Sequence, residues 1–333
     1  MTLHLNLSRP LAVIAIGGNS LVADAEHTTV RHQWRAVRDT ARSIVDIIEE
    51  GYSIVLTHGN GPQVGFILER NELASDQVHT TPLDVIDADT QGSIGYMIQQ
   101  AIDNEFVRRG RTIDRQVVTL ITQVEVDRED PAFDNPTKPV GSFLTPDQAE
   151  KHRERGHIVI DDSGRGLRRV VPSPEPQSIF ELEAIEHLLE VGMIVICVGG
   201  GGIPIVRKAD GTLRGVPAVI DKDLASSLLA TELEADLFLI STAVEQVVLD
   251  FGSANPTPLD SLTTSRARQL LAEGQFPPGS MGPKIRGMCN FIDSGGSLGI
   301  ITCPENFKQS LRGDKGTRFV PDPDSPKSSS PDS

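Results

Sequence analysis

Short runs in which nearly every residue is apolar alternate along this chain with longer stretches whose apolar residues return every three or four positions. Residues 11–16, 53–56, 117–122, 194–198, 237–241 and 298–302 are of the first kind, and 247–249 reads as a shorter one. Continuous apolar runs of this length predict strands buried on both faces. Between them, Trp34, Val37, Ala41, Ile44, Val45 and Ile48 fall on one face of a helix that Gly51 ends. Ile94, Met97, Ile98, Ala101 and Ile102 mark a helix over 91–106, a stripe that suits either core packing or a dimer face. Further helices are expected over 179–189, closed by Gly192, through Leu224, Leu228 and Leu229, and through Ile285, Met288, Cys289 and Ile292, stopped by Gly295. The alternation predicts an α/β fold, an open and mainly parallel sheet sandwiched by helices. In such sheets ligands bind beyond the carboxyl ends of the strands.

One stretch breaks the pattern. Residues 125–175 are rich in Pro, Asp and Arg, with Asp130-Pro131 and the run from Asn135 to Pro139 as breakers. A long polar insertion of this kind predicts a lid or protruding subdomain. Residues 1–10 read as an arm, 11–320 as one domain, and 321–333, built of Pro, Ser, Asp and one Lys, as a disordered tail.

With 333 residues and a net charge of -15, the chain can bury a large core and makes a poor partner for nucleic acid. Its three cysteines, Cys197, Cys289 and Cys303, have no metal spacing and form an odd set, which fits a reducing cytoplasm. No apolar run is long enough for a bilayer, and residues 1–10 lack the order of a signal peptide, so a cytoplasmic protein without membrane partners is expected.

Candidate chemistry collects where predicted strands end. The first empties into Gly17-Gly18-Asn19, the second into Gly59-Asn60-Gly61-Pro62, and the strand over 194–198 into four glycines, Gly199 to Gly202. Glycines there let backbone N–H groups approach an anion, and Pro62 suits the first turn of a helix aimed back at the loop. Asn19 and Asn60 would add neutral donors. His58 is expected to be a structural hydrogen-bonder. Lys222 lies between Asp221 and Asp223, and Asp223 either caps the following helix or serves the site. Lys284 follows Gly279-Ser280-Met281-Gly282-Pro283 in the first turn of a helix, where a cation is unfavourable unless it meets an anion. No GxxxxGK[ST] motif is present, nor a GxGxxG followed by a suitably placed acid, so neither a P-loop NTPase nor a dinucleotide dehydrogenase is indicated. Glycine loops with separated lysines point to an open site that holds a run of phosphoryl groups.

These segments, together with the Gln91–Tyr96 and Thr122–Asp127 runs, Asn135-Pro136-Thr137-Lys138-Pro139-Val140-Gly141 and Arg169-Val170-Val171-Pro172-Ser173-Pro174, resemble carbamate kinases of the amino-acid kinase fold in order from residue 11 to about 318. The last two segments narrow the resemblance to carbamate kinases. It implies ATP + carbamate = ADP + carbamoyl phosphate with Mg2+ in a homodimer; because carbamoyl phosphate is a mixed anhydride of high transfer potential, ATP formation in arginine or nitrogen catabolism is the expected use. It implies a carbamate lobe over about 11–215, a nucleotide lobe over about 216–320, and a subdomain over about 125–175 that closes on substrate. By the same resemblance Gly17, Gly18, Asn19, Gly59, Asn60 and Gly61 surround carbamate. Lys138, Lys222, Asp223 and Lys284 are catalytic, and Gly200, Gly201, Lys222, Ser241, Met281, Gly282 and Lys284 bind nucleotide. Ala243 stands where kinases of the wider fold often carry Asp. No dense carboxylate cage is present, so Mg2+ is expected to rely on phosphate oxygens and water.

Carbamate is an oxyanion at neutral pH, so the transfer needs no general base, only two anions held in line and charge stabilisation by lysines and backbone N–H groups. Two alternatives are a sibling kinase acting on another carboxylate or phosphate, such as acetylglutamate or a nucleoside monophosphate, and a non-catalytic nucleotide sensor. A purely structural dimeric protein would not need glycine loops at one sheet edge.

Overall fold

A computed structural model describes residues 7–22, 26–111, 115–162, 164, 166–253 and 255–323. The strands are β1 (Leu11–Ile16), β2 (Ser53–His58), β3 (Val117–Thr119), β4 (Gln123–Val126), β5 (Lys138–Leu144), β6 (Ile158–Asp161), β7 (Leu167–Val171), β8 (Pro176–Ile179) and β9 (Ile194–Ile196). They continue with β10 (Ile203–Arg207), β11 (Leu213–Gly215), β12 (Leu237–Ser241), β13 (Val247–Leu249), β14 (Thr257–Leu259), β15 (Ser261–Thr263), β16 (Leu298–Thr302) and β17 (Thr317–Val320). The helices are α1 (Val30–Glu49), α2 (Gly61–Ala74), α3 (Leu83–Arg108), α4 (Pro146–Glu154), α5 (Leu182–Glu190), α6 (Lys222–Glu232), α7 (Thr264–Ala272), α8 (Met281–Asp293) and α9 (Phe307–Arg312). No described helix is long and apolar enough to cross a membrane.

The main sheet has eight strands in the order β15-β17-β16-β12-β1-β2-β9-β3. Its interior pairings are parallel, and β17 runs antiparallel to β16. Because successive side chains of a strand point to opposite faces, β1 feeds two cores. Leu11, Val13 and Ala15 pack with Phe238 and Phe291, while Ala12, Ile14 and Ile16 pack with Ile44 and Ile98. The predicted α/β class and mainly parallel sheet are thus what the chain folds into.

The apolar run over 117–122 is a main-sheet strand only over β3, and just past its end the chain enters a second sheet, β11-β10-β4-β8, as β4. The predicted helix over 179–189 likewise gives its first residue to β8 and starts as α5 at Leu182. Helix α3 extends well before residue 91, since Leu83 and Ile86 continue its buried face. The buried polar residues Asp87, Thr90 and Gln91 interrupt the stripe and hide it from a hydrophobic reading.

Within the polar insertion, β5, β7 and β6 form a separate antiparallel sheet braced by α4, which opens with a Thr145/Gln148 capping box. A small apolar cluster, with Val140 and Val171 on one side and Val64, Leu83, Ile86 and Val219 on the other, fastens it to the body. The expected disordered tail is tied down at its start: the Asp322 carboxylate accepts from Thr264 Oγ1 at 3.0 Å and from Ser265 N at 3.1 Å. Residues 324–333 lie outside the described residues.

Candidate active site

Strands β12, β1 and β2 are parallel neighbours, so the loops at their carboxyl ends meet although Ser241 and Gly17 are far apart in sequence. The Ser20 and Ser241 hydroxyls stand 3.2 Å apart. A cleft of about 410 Å³ opens over these ends and is floored by Gly17, Gly18, Gly59, Asn60, Gly61 and Ser241. Lys138 and Arg168 enter from the small antiparallel sheet, and Lys222, Asp223 and Lys284 from the opposite wall. Of the residues expected in the site, Gly200 also lines it, whereas Gly201, Met281 and Gly282 do not. The Asn19 backbone belongs to a 3-10 turn, Gly18–Ser20, and its side chain lies outside the described residues.

The opposite wall is a charge cluster on two helix N-termini. Lys222 Nζ donates to Asp223 Oδ1 at 2.6 Å, and Lys284 Nζ donates to Asp223 Oδ2 at 2.7 Å. Helices α6 and α8 meet this closely because Gly287 has no side chain: a Cβ there would lie 2.8 Å from the Asp223 carbonyl oxygen. Ser227 Oγ locks the crossing by donating to the Gly287 carbonyl at 2.7 Å. Burial would raise the Asp223 carboxyl, but the two ammonium groups overcome it and hold Asp223 well below the usual carboxylate range. Burial pushes Lys222 down, reinforced by Lys284 and opposed by Asp223.

Asp223 is therefore a bridge between lysines and not the helix cap. The cap of α6 is Asp221, whose Oδ1 accepts from Asp223 N at 2.9 Å. Its other oxygen accepts from Lys138 Nζ at 2.7 Å, tying the small sheet to this wall. Asp221 lines the cleft but was not expected among the site residues; the D-K-D triplet was its signal. Arg168 was also missed. Its guanidinium donates to the Gly141 carbonyl at 2.8 Å and lies against Phe143, so it fixes the strand carrying Lys138.

Two expectations about the loops need correction. Asn60 does not present its amide to the cleft: Nδ2 donates inward to Asp87 Oδ1 at 3.1 Å and to Thr90 Oγ1 at 3.0 Å. Any donor it offers there is backbone, at the start of α2, whose first turn no side chain caps. The four-glycine turn is small mainly because protein surrounds it. A Cβ at Gly199 would lie 2.4 Å from His58 Nε2, at Gly200 2.2 Å from Asn60 Nδ2, and at Gly201 2.4 Å from the Ile220 carbonyl. Gly18 and Gly61, by contrast, face open space. His58 is buried and its Nδ1 lies 3.0 Å from the Gly59 carbonyl; burial pushes the imidazole down to about 4, so it is neutral at pH 7. That fits the structural role expected of it.

Beyond Lys284 and Ser280 a second cavity of about 220 Å³ continues the cleft. Ala243, Val244, Phe251, Phe276 and Met281 give it a mainly apolar lining, and Thr242 stands at the junction. Met281 thus lies one step beyond the lysine cluster.

A sequence model of the amino acid kinase family matches residues 10–303. The chain is 47% identical over 312 residues to the carbamate kinase of Pyrococcus furiosus, covering 93% of this chain and 98% of that one. It is 45% identical over 316 residues to the carbamate kinase-like protein YahI of Escherichia coli, covering 94% and 99%. Among solved structures it superposes on carbamate kinase from Giardia lamblia bound to AMP-PNP with a TM-score of 0.87 at 40% identity, covering 95% of this chain and 99% of that one.

Proposed function

This chain belongs to the amino acid kinase family, in its carbamate kinase group, and on that premise we propose that it transfers a phosphoryl group reversibly between ATP and carbamate. The observation that carries the reading is the single buried Asp223 holding Lys222 and Lys284 side by side above the glycine loops. In the ATP-forming direction an oxygen of the ADP β-phosphate attacks the phosphorus of carbamoyl phosphate. The bond from phosphorus to the carbamate oxygen breaks, and carbamate leaves as an oxyanion. No proton moves, so no general base is needed, in keeping with a cleft whose polar side chains are lysines, aspartates held by them, an arginine and hydroxyls.

Lys222 and Lys284 neutralise the moving phosphoryl oxygens, Asp223 fixes their spacing, and Lys138 closes over the acceptor side from the small sheet. Backbone N–H groups at Gly18 and Gly61, open to the cleft, receive carbamate or the phosphoryl group. The apolar second cavity takes the nucleoside, giving a nucleotide lobe over about 216–320 and a carbamate lobe over about 11–215. Mg2+ arrives with the nucleotide, held by phosphate oxygens and water, because both aspartates at the cleft are engaged by lysines. The enzyme works in the cytoplasm as a homodimer, and for the dimer the support is the exposed Tyr96 on α3 with the exposed Ile121 lining the same shallow hollow. Carbamoyl phosphate is a mixed anhydride of high transfer potential, which favours ATP formation in nitrogen catabolism.

The test is ATP formation from ADP, Mg2+ and carbamoyl phosphate, with Lys222→Ala as control. ATP made by the parent and lost in the variant supports the reading. No ATP with nucleotide binding intact moves the acceptor to another carboxylate or phosphate.

A further inference from the structure

Beneath the acceptor side of the cleft, one edge of α3 carries polar residues that the phosphoryl transfer does not touch. Asp87, Thr90 and Gln91 are all buried in the apolar interior. Gln91 Nε2 donates to the carbonyls of Thr122 at 3.1 Å and Gly199 at 3.0 Å, and its Oε1 accepts from Thr122 N at 2.8 Å. Thr122 in turn accepts at Oγ1 from Val198 N at 3.0 Å. Val198 is a β-branched residue with φ of 51°, a conformation that persists only where neighbours enforce it.

Asp87 and Thr90 accept both contacts made by the Asn60 amide, and that amide lies against Gly200 so closely that no Cβ fits between. The loop after β2 thus meets the glycine turn after β9 through Asn60 as well as through His58, and among the described residues the hydrogen bonds of the Asn60 amide all go to α3. Asp87 Oδ2 has no partner among the described residues. Burial, with Asp84 nearby and against the Asn60 bond, raises the Asp87 carboxyl well above its ordinary value.

We propose that Asp87 is a positioning residue for the acceptor half of the reaction: by fixing the Asn60 amide against Gly200, it sets where the loop after β2, whose Gly61 receives carbamoyl phosphate, sits on the glycine turn. This rests on the function proposed above. Asp87 touches neither substrate, and it lies away from the second cavity, so its loss should be felt on one substrate only.

The test is steady-state kinetics of the full chain with ADP and carbamoyl phosphate varied in turn, with folding checked by circular dichroism. Asp87→Ala leaves a buried amide short of an acceptor and should raise KM for carbamoyl phosphate about tenfold while KM for ADP stays unchanged. Asp87→Asn keeps an acceptor oxygen in place and should restore most of that loss. If Asp87→Ala does not fold, Thr90→Val, which removes the second acceptor at nearly constant volume, should raise the same KM about threefold. A folded Asp87→Ala enzyme with parental KM values, an equal rise in both KM values, or an Asp87→Asn enzyme no better than Asp87→Ala would overturn the proposal alone. A parent chain that makes no ATP from carbamoyl phosphate overturns the proposed function and this inference with it.

Discussion

Lys284 Nζ stands 2.7 Å from Asp223 Oδ2, and the two residues are brought together across a helix crossing that only Gly287 permits. A lysine in the first turn of a helix opposes the dipole of that helix, and here a buried carboxylate from the neighbouring helix compensates it. A phosphoryl group bound beside Lys284, as proposed, would give the same lysine a second anion to serve.

Neutralising either lysine should remove transition-state stabilisation and leave the fold intact. Lys222→Ala and Lys284→Ala are each expected to lower kcat by about 10²–10³. Turnover within threefold of the parent in both variants would show that the charge cluster is not the catalytic one.

The pH dependence of stability follows from the depressed Asp223 carboxyl. A carboxylate whose folded value lies below its unfolded one stabilises the fold above the unfolded value, about 4, and loses that contribution as pH falls through the folded value. The Tm gap between the parent and Asp223→Asn should be widest above pH about 4 and shrink at lower pH. An equal gap at both ends of the range would contradict the linkage.

Lys138 is the most exposed lysine of the cleft, with 31% of its side chain accessible, so its ion pair with Asp221 contributes little to stability. Lys138→Ala should shift stability by about 1 kcal/mol or less while cutting kcat at least about tenfold, the loss of one positioned charge. Parallel thermal melts and rate measurements separate the two effects.

Glycines of the two loop types should respond in opposite ways. Gly200→Ala forces a side chain into the Asn60 amide at a φ of 71° and is expected to destabilise the protein by about 2–3 kcal/mol. Gly18→Ala meets open space, so urea denaturation should be unchanged while KM for carbamoyl phosphate rises. A destabilised Gly18→Ala protein would mean that this face is packed and not open.

Phe251 is 71% exposed and borders the second cavity, so Phe251→Ala can be made without disturbing the core. If that cavity holds the nucleoside, KM for ADP should rise about tenfold, in line with one lost aromatic stack, and KM for carbamoyl phosphate should not change.

Much of this was legible in the order of residues. The doubly buried strands announce themselves because β1, β9 and β12 have no polar face to interrupt, and their glycine-rich exits follow from the parallel sheet. Lys222, Lys284 and Lys138 stood out because each sat beside a breaker or a helix start. What was hidden were relationships between distant segments. Nothing near Asp221 reveals that its second oxygen holds Lys138, and the choice between Asp221 and Asp223 as cap depends on a shift of two residues in where the helix begins. Asn60 looked like a ligand for an anion because its partners, Asp87 and Thr90, belong to a helix whose polar residues resemble a solvated face. The glycines of the 199–202 turn looked like room for a ligand, whereas the space they leave is largely occupied by protein.

The small sheet that carries Lys138 rests on the body through the apolar contact around Val64 and Val140, the Lys138–Asp221 ion pair and a 3.3 Å contact between His152 Nε2 and Glu72 Oε1. The floor of the cleft, by contrast, hangs from strands sealed on both faces. Moving the small sheet away from the body would break those contacts and withdraw one lysine, whereas the glycine floor could not change shape without opening a sealed parallel sheet.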